Sequence, residues 1–236
     1  MSGTLYLLPV HLSEGPLDLV IPEYNNLIIN NLKHFVVEDI RSARRFLKMV
    51  NKDFDIDVCT FYTLNEHSNG DLLSEYLKAM EQNQDVGLLS EAGCPAVADP
   101  GSNLVALAHL KGFRVKPLVG PSSILLALMA SGFSGQRFSF DGYLPLEKEE
   151  RTKRIKTLET RSYTEDCTQI FIETPYRNNK LMEDLTTHLK PQTKICMALD
   201  LTGTEEQIIT KSVSEWKKVK FDIPKKPCIF LLYKGF

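Results

Sequence analysis

The stretch "LLSEAGCPAVADPG" (residues 88–101) joins an apolar, strand-like run to a loop of small residues. Asp99 and Pro100 close the loop and favour the start of a helix, because aspartate caps free amides and proline suits the first helical position. A dinucleotide-binding turn would instead read G-x-G-x-x-G, and that spacing is absent. The stretch therefore predicts a strand-to-helix turn whose backbone can approach a ligand.

Composition indicates a globular protein. Hydrophobic residues make up 43% and charged residues 25% of the 236 residues, which is enough apolar material for a core. The chain has no apolar run of the roughly 18 residues that a membrane span needs. A strand pattern begins at Thr4, where a signal peptide would have basic and apolar zones. We therefore expect a cytosolic (cytoplasmic) protein with no membrane partner.

Charge and cysteine spacing exclude two further classes. The net charge of -2 argues against a protein that binds nucleic acid over its whole surface, although "KEERTKRIK" (148–156) and "KKVKFDIPKK" (217–226) are locally basic. The five cysteines show no C-x-x-C pair and no histidine at metal-ligand spacing. We expect reduced thiols and no metal site.

The order of the apolar patterns predicts an α/β fold with two domains, residues 1–115 and 116–236. Strands alternate with helices in the first domain, which predicts a mainly parallel sheet with helices on both faces. Fewer helices separate the strands of the second domain, which favours a mixed sheet. The strand-like runs are Leu5–Leu8, Phe35–Val37, Val58–Thr63, Val86–Ser90, Val115–Val119, Gln169–Glu173, Lys194–Asp200, Gln207–Lys211 and Cys228–Tyr233. The main helix-like stretches are 41–50, 71–82, 102–111, 122–131 and 177–189.

Strand-to-helix junctions recur at "PLVGPSSILLALMASG" (117–132) and "FIETPYRNN" (171–179), the latter with Thr174 as a predicted cap. Amides at the start of a helix attract carboxylate or phosphate groups and can hydrogen-bond an adenosine. Each junction, taken by itself, can be explained as a sequence that simply starts a helix. Together with residues 88–101, the junctions predict a ligand site between the two domains.

Five segments, taken in order, resemble the tetrapyrrole methylase superfamily, and most closely its small-subunit rRNA (cytidine-2′-O)-methyltransferases. They are "VEDIRSARRFL" (37–47), "LLSEAGCPAVADPG" (88–101), "PLVGPSS" (117–123), "FSFDGYLP" (138–145) and "FIETPYR" (171–177). The resemblance runs from Gly3 to Gly235. It implies two α/β domains with S-adenosylmethionine in the cleft between them, usually in a homodimer.

The resemblance also implies which residues contact this methyl donor. Residues 90–101 match the family's SDAGTPxxxDPG segment, with Glu91 in place of aspartate and Cys94 in place of threonine. Residues 120–122 match its PGPS turn. The implied donor-binding residues are Pro9, Gly93, Cys94, Pro95, Val97, Ser122, Ser123, Glu173, Ala198 and Leu199.

Two segments depart from the pattern of the ribosomal branch. The first loop reads "PVHLSEGPLD" (9–18) where that branch has PTPIGNLxD, and this loop should face the substrate. In "ALDLTGTEEQ" (198–207), Leu199 and Gly203 stand where that branch has arginine and lysine. The chain therefore lacks two cations of the RNA-modifying pattern.

Methyl transfer from a sulfonium to a hydroxyl needs positioning and a base. The candidate bases are carboxylates at or just after strand ends: Glu38, Asp39, Glu91 and Glu173. Glu91 is favoured, because it follows an apolar strand within the predicted donor loop. His67, in the loop "LNEHS" (64–68), is similar to an HNE cluster of the family, but a lone loop histidine is more often an exposed side chain.

Several of these residues have structural alternatives. Asp39 precedes a helical pattern and can cap it. Glu38 can pair with Arg41 or Arg44, and Glu173 can pair with Arg177 one turn later. Arg41 and Arg177 are the candidates for binding a phosphate of an RNA substrate.

The sequence thus predicts an S-adenosylmethionine-dependent methyltransferase that modifies a ribose hydroxyl of small-subunit rRNA, within an assembled particle. Two alternatives stay open, because a fold alone does not determine function. The acceptor can be a tetrapyrrole or another small molecule, or the protein can bind the donor without transferring a methyl group.

Overall fold

The chain divides into two units, Met1–Ser122 and Ser123–Phe236. The structure, a computed structural model, describes residues 2–65, 68 and 70–235, so that His67 lies outside the described residues. The first unit ends later than the predicted boundary after residue 115, because the strand Arg114–Pro117 pairs with residues 4–7 of the first strand.

The first unit is built on a parallel sheet, as the sequence predicts. Its strands are β1 (Thr4–Leu8), β2 (His34–Val37), β3 (Thr60–Thr63), β4 (Val86–Leu89) and β5 (Arg114–Pro117). They lie in the order β3-β2-β4-β1-β5, and every neighbouring pair is parallel. The connections carry the helices α1 (Glu23–Ile29), α2 (Ile40–Val50), α3 (Gly70–Tyr76), α4 (Lys78–Glu81) and α5 (Gly101–Leu110).

Two apolar cores cover the two faces of this sheet. Successive side chains of a strand point to opposite faces, so Leu88 and Leu89 of β4 belong to different cores. Leu88 packs with residues of α3, α4 and α5, among them Leu104. Leu89 packs with Ile29 of α1 and Phe46 of α2. The prediction of helices on both faces is therefore confirmed.

The sequence patterns missed α1. Its residues EYNNLII include two asparagines and two isoleucines, which are only moderate helix formers, and no side chain caps its first turn. The side chain of Asn25 is buried and donates a hydrogen bond to the carbonyl of Val119 at 2.8 Å. The helix therefore depends on a contact with a residue distant in sequence.

The second unit has a mixed sheet, also as predicted. Its strands are β6 (Phe138–Tyr143), β7 (Thr168–Glu173), β8 (Lys194–Leu199), β9 (Gln207–Ser212) and β10 (Cys228–Tyr233). They lie in the order β6-β7-β10-β8-β9, in which β6 and β7 are parallel and the other pairs are antiparallel. Its helices are α6 (Ser123–Ser131), α7 (Lys148–Glu165), α8 (Asn178–His188) and α9 (Val213–Trp216).

A buried aromatic group and an ion pair stabilise the second unit. Phe171 and Phe230 stack on neighbouring strands, with their ring centroids 6.2 Å apart. The Arg151 Nε atom of α7 lies 2.8 Å from Oδ2 of Asp184 on α8, and both side chains are buried. Across the described ranges, none of the helices has the length and apolar character of a membrane span.

Candidate active site

Three loops meet at the carboxyl edge of the parallel sheet, where ligands of such sheets bind. The loop after β1 and the loop after β4 are joined by an antiparallel bridge between Val10 and Gly93. The Val10 amide donates to the Gly93 carbonyl at 2.9 Å, and the Gly93 amide donates to the Val10 carbonyl at 3.1 Å. The thiol of Cys94 donates to the carbonyl of Pro121, in the turn after β5, at 3.4 Å.

Close backbone approach explains the glycines of these loops. A Cβ atom on Gly120 would lie 2.2 Å from Cβ of Pro9, so any larger residue would push the two loops apart. Gly93 has a φ of +73°, in the left-handed region that favours glycine. The small residues in the PGPS-like turn and the donor-loop motif are therefore needed for the loops to meet.

The loop after β4 contains strained backbone. Ala96 and Ala98 have φ values of 66° and 62°, a conformation that costs roughly 1–3 kcal/mol for each residue that is not glycine. The carboxylate of Asp99 stabilises this conformation, because its Oδ1 accepts hydrogen bonds from the amides of Ala96 and Gly101, both at 2.8 Å. Such strain is concentrated at ligand sites, where a loop must hold one shape.

The backbone amides of this loop are less available to a ligand than the sequence suggests. The amide of Gly93 is used by Val10, and those of Ala96 and Gly101 are used by Asp99. Three amides of the loop therefore already have acceptors within the protein. Val97 is the exposed residue between the two strained alanines, with 49% of its surface accessible. Pro9 and Pro95, two other predicted donor contacts, are buried.

Glu38, Glu91 and Asp99 form a carboxylate cluster at the ends of β2 and β4. Burial raises the pKa of Glu38, and the negative charges of Asp99 and Glu91 raise it further. The nearby backbone amide of Glu91 opposes the shift. Burial likewise raises the pKa of Asp99, against the effect of its two amide hydrogen bonds. The sequence predicted Glu38 and Glu91 as site residues but did not predict that the charge of Asp99 acts on Glu38. The signal was present, because Asp99 lies in the same motif as Glu91 (residues 88–101).

Asp39, another candidate base, caps α2. Its Oδ1 accepts a hydrogen bond from the amide of Ser42 at 2.8 Å. This hydrogen bond lowers the pKa of Asp39, whose side chain is exposed to solvent. A carboxylate used in this way is a weak proton acceptor. Arg41 is exposed in the first turn of the same helix, and its positive charge acts on Asp39.

The predicted site residues of the second unit lie at one edge of its sheet. Cys228 of β10 pairs with Glu173 on one side and Leu199 on the other, which brings Glu173 close to Ala198 and Leu199. All three are buried, whereas Ser123 is the partly buried first residue of α6. Ser122 precedes that helix.

Arg177 pairs with Glu173, the structural alternative that the sequence left open. Its guanidinium lies 2.7 Å from Oε2 of Glu173, and that carboxylate also accepts the amide of Thr174 at 2.8 Å. Thr174 does not cap the following turn with its side chain, so the prediction of a cap there is wrong. Pro175 instead begins a short 3-10 helix.

Comparison with known proteins places this geometry in a family. The family model described as tetrapyrrole (corrin/porphyrin) methylases matches residues 28–216. The chain belongs to the tetrapyrrole methylase family. The resemblance of the sequence motifs is thereby confirmed.

Two curated relatives of this methylase are both named ribosomal RNA small subunit methyltransferase I. The protein of Haemophilus influenzae is 32% identical over 159 residues, which are 66% of this chain and 55% of that protein. The protein of Pseudomonas aeruginosa is 27% identical over 214 residues, which are 91% of this chain and 72% of that protein. The methylase described here thus matches little more than half the length of the first relative.

Solved structures share the fold of this tetrapyrrole methylase. The methyltransferase CobJ has a TM-score of 0.64 at 17% identity, with 99% of this chain and 94% of that chain covered. Diphthine synthase has a TM-score of 0.68 at 14% identity, with 98% and 90% covered. The predicted fold class is confirmed.

Proposed function

We propose that this protein is an S-adenosylmethionine-dependent methyltransferase that methylates a ribose 2′-hydroxyl of small-subunit rRNA. The observation that carries the proposal is the position of Glu38. Its pKa is raised within a carboxylate cluster, and Glu91 and Asp99 of that cluster lie in the strained loop after β4. The names of the curated relatives support rRNA as the acceptor.

The residues of the first unit fit the methyl donor. Cys94 and Val97 lie on the loop after β4, whose strained backbone holds one shape, and Ser122 lies in the adjoining turn. S-adenosylmethionine supplies a methyl group on a cationic sulfur when bound. The carboxylates of Glu38 and Glu91 favour a cation nearby by Coulomb attraction. We infer that these loops hold the donor. The donor contacts that the resemblance implies at Ser123, Glu173, Ala198 and Leu199 stay predictions.

Glu38 is the residue that we propose as the base. A ribose hydroxyl must lose its proton as it attacks, and a carboxylate with a raised pKa accepts that proton better than an ordinary one. Glu91 is exposed, and its negative charge adds to the effect of burial and of Asp99 on the pKa of Glu38. The sequence favoured Glu91 as the base, and we propose Glu38 of the same cluster instead.

The acceptor that we propose is the assembled small subunit. The net charge of -2 is low for a protein that must hold naked RNA by itself. An assembled small subunit offers a shaped surface, and shape complementarity with it can compensate for the missing cations. Arg41 is the candidate for a phosphate contact in the first unit, because Arg177 already pairs with Glu173. We also propose a cytosolic homodimer, which light scattering of the purified protein would test.

Transfer of a labelled methyl group tests the proposed function. The purified protein is incubated with labelled S-adenosylmethionine and small subunits from a strain that lacks the gene. We expect label in rRNA, and a 2′-O-methylated nucleoside after digestion and mass spectrometry. Label in a porphyrinoid instead of rRNA would contradict the acceptor. Calorimetry that finds no binding of the donor would contradict the whole proposal.

A further inference from the structure

The stretch "KKVKFDIPKK" (217–226) forms a basic segment of the second unit, between α9 and β10. It contains five lysines and one aspartate, whereas the whole chain has a net charge of -2. Lys226 is paired, with its Nζ 2.8 Å from Oδ2 of Asp200 and 3.3 Å from Oε2 of Glu205. The other four lysines are exposed and have no carboxylate partner among the described residues; they are Lys217, Lys218, Lys220 and Lys225.

The first turn of α8 holds the backbone of the basic segment in place. Ile223 of the segment is buried, and Asn179 contacts both of its peptide groups. The amide of Ile223 donates to Oδ1 of Asn179 at 2.8 Å, and Nδ2 of Asn179 donates to the carbonyl of Ile223 at 3.2 Å. The buried Asn178 donates to the carbonyl of Lys226 at 2.9 Å. The lysines therefore extend from a fixed backbone, which reduces the ordering cost of binding a partner.

Tyr176 is an exposed aromatic side chain beside the basic segment. It is 80% accessible, and the Nζ atom of Lys225 lies 5.2 Å from the centroid of its ring. Tyr176 belongs to the 3-10 helix Pro175–Arg177, which continues directly into α8. The same helix start therefore positions both the ring and the lysines. An accessible ring with cations beside it suits an unpaired base and the phosphates that flank it.

RNA fits this surface better than an anionic membrane does. A membrane also attracts lysines, but stable binding requires apolar side chains that enter the lipid. In the basic segment, Ile223 is buried and Phe221 packs edge-on against the buried Trp216, with 6.3 Å between the ring centroids. Of the large hydrophobic side chains of the segment, Val219 alone is exposed. The segment therefore offers positive charge without an apolar face.

We propose that Tyr176 and the basic segment form a docking surface for small-subunit rRNA. Tyr176 stacks on an unpaired base, and the four exposed lysines bind phosphates of the same strand. The inference rests on the proposed function and adds a surface that supplies affinity for the particle but no reacting group. A chain with a net charge of -2 can bind RNA in this way, because its positive charge is concentrated on one surface.

The salt dependence of binding tests the role of the lysines. The full chain, labelled with a fluorophore, is titrated with small subunits from a strain that lacks the gene, and Kd is measured by anisotropy at several salt concentrations. Each phosphate contact contributes about 0.7–0.9 to the slope of log K against log salt. K218Q/K220Q should therefore reduce the slope by about 1.4–1.8. Equal slopes in this variant and the wild type would overturn the proposal.

A matched control for this variant is K33Q/K78Q. It removes the charges of two exposed lysines of the first unit, so that the net charge changes by the same amount. The slope of this control should equal that of the wild type. An equal loss of slope in both double variants would show that net charge, and not the basic segment, determines binding, and would overturn the proposal.

Substitution of Tyr176 tests the stacking on a base. Y176A should weaken the binding of small subunits by about 5- to 150-fold, which is the usual contribution of one stacked base. Y176F keeps the ring and should bind like the wild type, whereas Y176L keeps apolar surface without a ring and should bind like Y176A. Y143A removes another exposed tyrosine of the second unit and is the control. Wild-type affinity in Y176A would overturn the role of the ring.

Steady-state methyl transfer separates this inference from the proposed function. KM for small subunits should rise in Y176A and K218Q/K220Q while kcat is unchanged, because the surface binds the ground state and the transition state equally. A wild-type protein that binds small subunits through this surface but transfers no methyl group contradicts the proposed function and leaves the inference intact. Methyl transfer with an unchanged KM in both variants overturns the inference alone. Binding to phosphatidylserine vesicles but not to small subunits would overturn RNA as the partner.

Discussion

Glu91 acts electrostatically on Glu38: after burial and the charge of Asp99, its negative charge raises the pKa of Glu38, and its backbone amide opposes this shift. β2 and β4 are paired, with Val37 opposite Leu89, so the two glutamates extend from neighbouring strand ends. This interaction joins the proposed base to the loop that we assign to the methyl donor. Replacement of Glu38 should therefore lower the rate of methyl transfer without lowering the thermal stability of the protein.

E38Q should reduce methyl transfer by about 10²–10⁴-fold, which is the usual contribution of a general base. Glutamine keeps the size of the side chain but removes one of the two charges that attract the cationic sulfur, so the affinity for S-adenosylmethionine should fall far less than the rate. Single-turnover transfer and calorimetry would measure the two quantities. E150Q, which changes an exposed glutamate of α7, is the control. Full turnover by E38Q would exclude Glu38 as the base.

The pH dependence of transfer should follow the ionisation of Glu38. Its pKa is raised above the usual 4.5, and only the ionised form accepts a proton. The rate of the wild-type protein should therefore fall as the pH decreases through this raised pKa. The residual rate of E38Q should lack that dependence. An identical profile in both proteins would assign the titration to another group.

Stability should respond to Glu38 in the opposite direction. A carboxyl group whose pKa is raised by folding favours the folded state while it is protonated, and this contribution is lost as the pH rises through the folded pKa. Above its folded pKa, the ionised Glu38 is therefore destabilising. E38Q should melt at an equal or higher temperature than the wild type in calorimetry. A lower melting temperature would contradict the burial that raises the pKa.

D99A should loosen the strained loop after β4. It removes the acceptor for the amides of Ala96 and Gly101, and the loss should be about 1–3 kcal/mol in the free energy of unfolding. Donor affinity should fall at the same time, because the loop no longer holds one shape. Urea unfolding and calorimetry would measure both effects. D99N keeps an acceptor oxygen and should lose less.

G120A should separate the loops after β1 and β5. Its new Cβ would lie 2.2 Å from Cβ of Pro9, and overpacking of this kind costs roughly 1–3 kcal/mol. We expect lower stability in urea and weaker donor binding. In G135A the added methyl group meets no atom within 4 Å, so this variant is the control. Wild-type donor affinity in G120A would show that the loops need not touch.

Among these substitutions, D184A should cause the largest loss of stability, and it acts on the second unit. Arg151 and Asp184 are 8% and 6% exposed, and removal of one partner leaves a buried charge, which costs about 3–5 kcal/mol. Thermal and urea unfolding would measure the loss. E183A removes the exposed neighbour on the same helix and should cost little. A small effect of D184A would mean that water reaches Arg151.

Local patterns were enough for most elements. The apolar run that ends at Leu89 and the Asp-Pro-Gly that follows it predicted β4 and α5, because alternation and capping act over a few residues. The helix α1 could not be predicted in this way. Its stability depends on Asn25 and Val119, which lie far apart in sequence.

The sequence by itself determined the α/β class, the two kinds of sheet and the family, because strand spacing and short motifs are local properties. Only the tertiary structure decided which carboxylate is perturbed and which amides are in use. Burial and charge depend on what folding brings together: Asp99 raises the pKa of Glu38, and Val10 binds the amide of Gly93. Lys225 likewise lies over the ring of Tyr176 only once folding has brought residues 176 and 225 together.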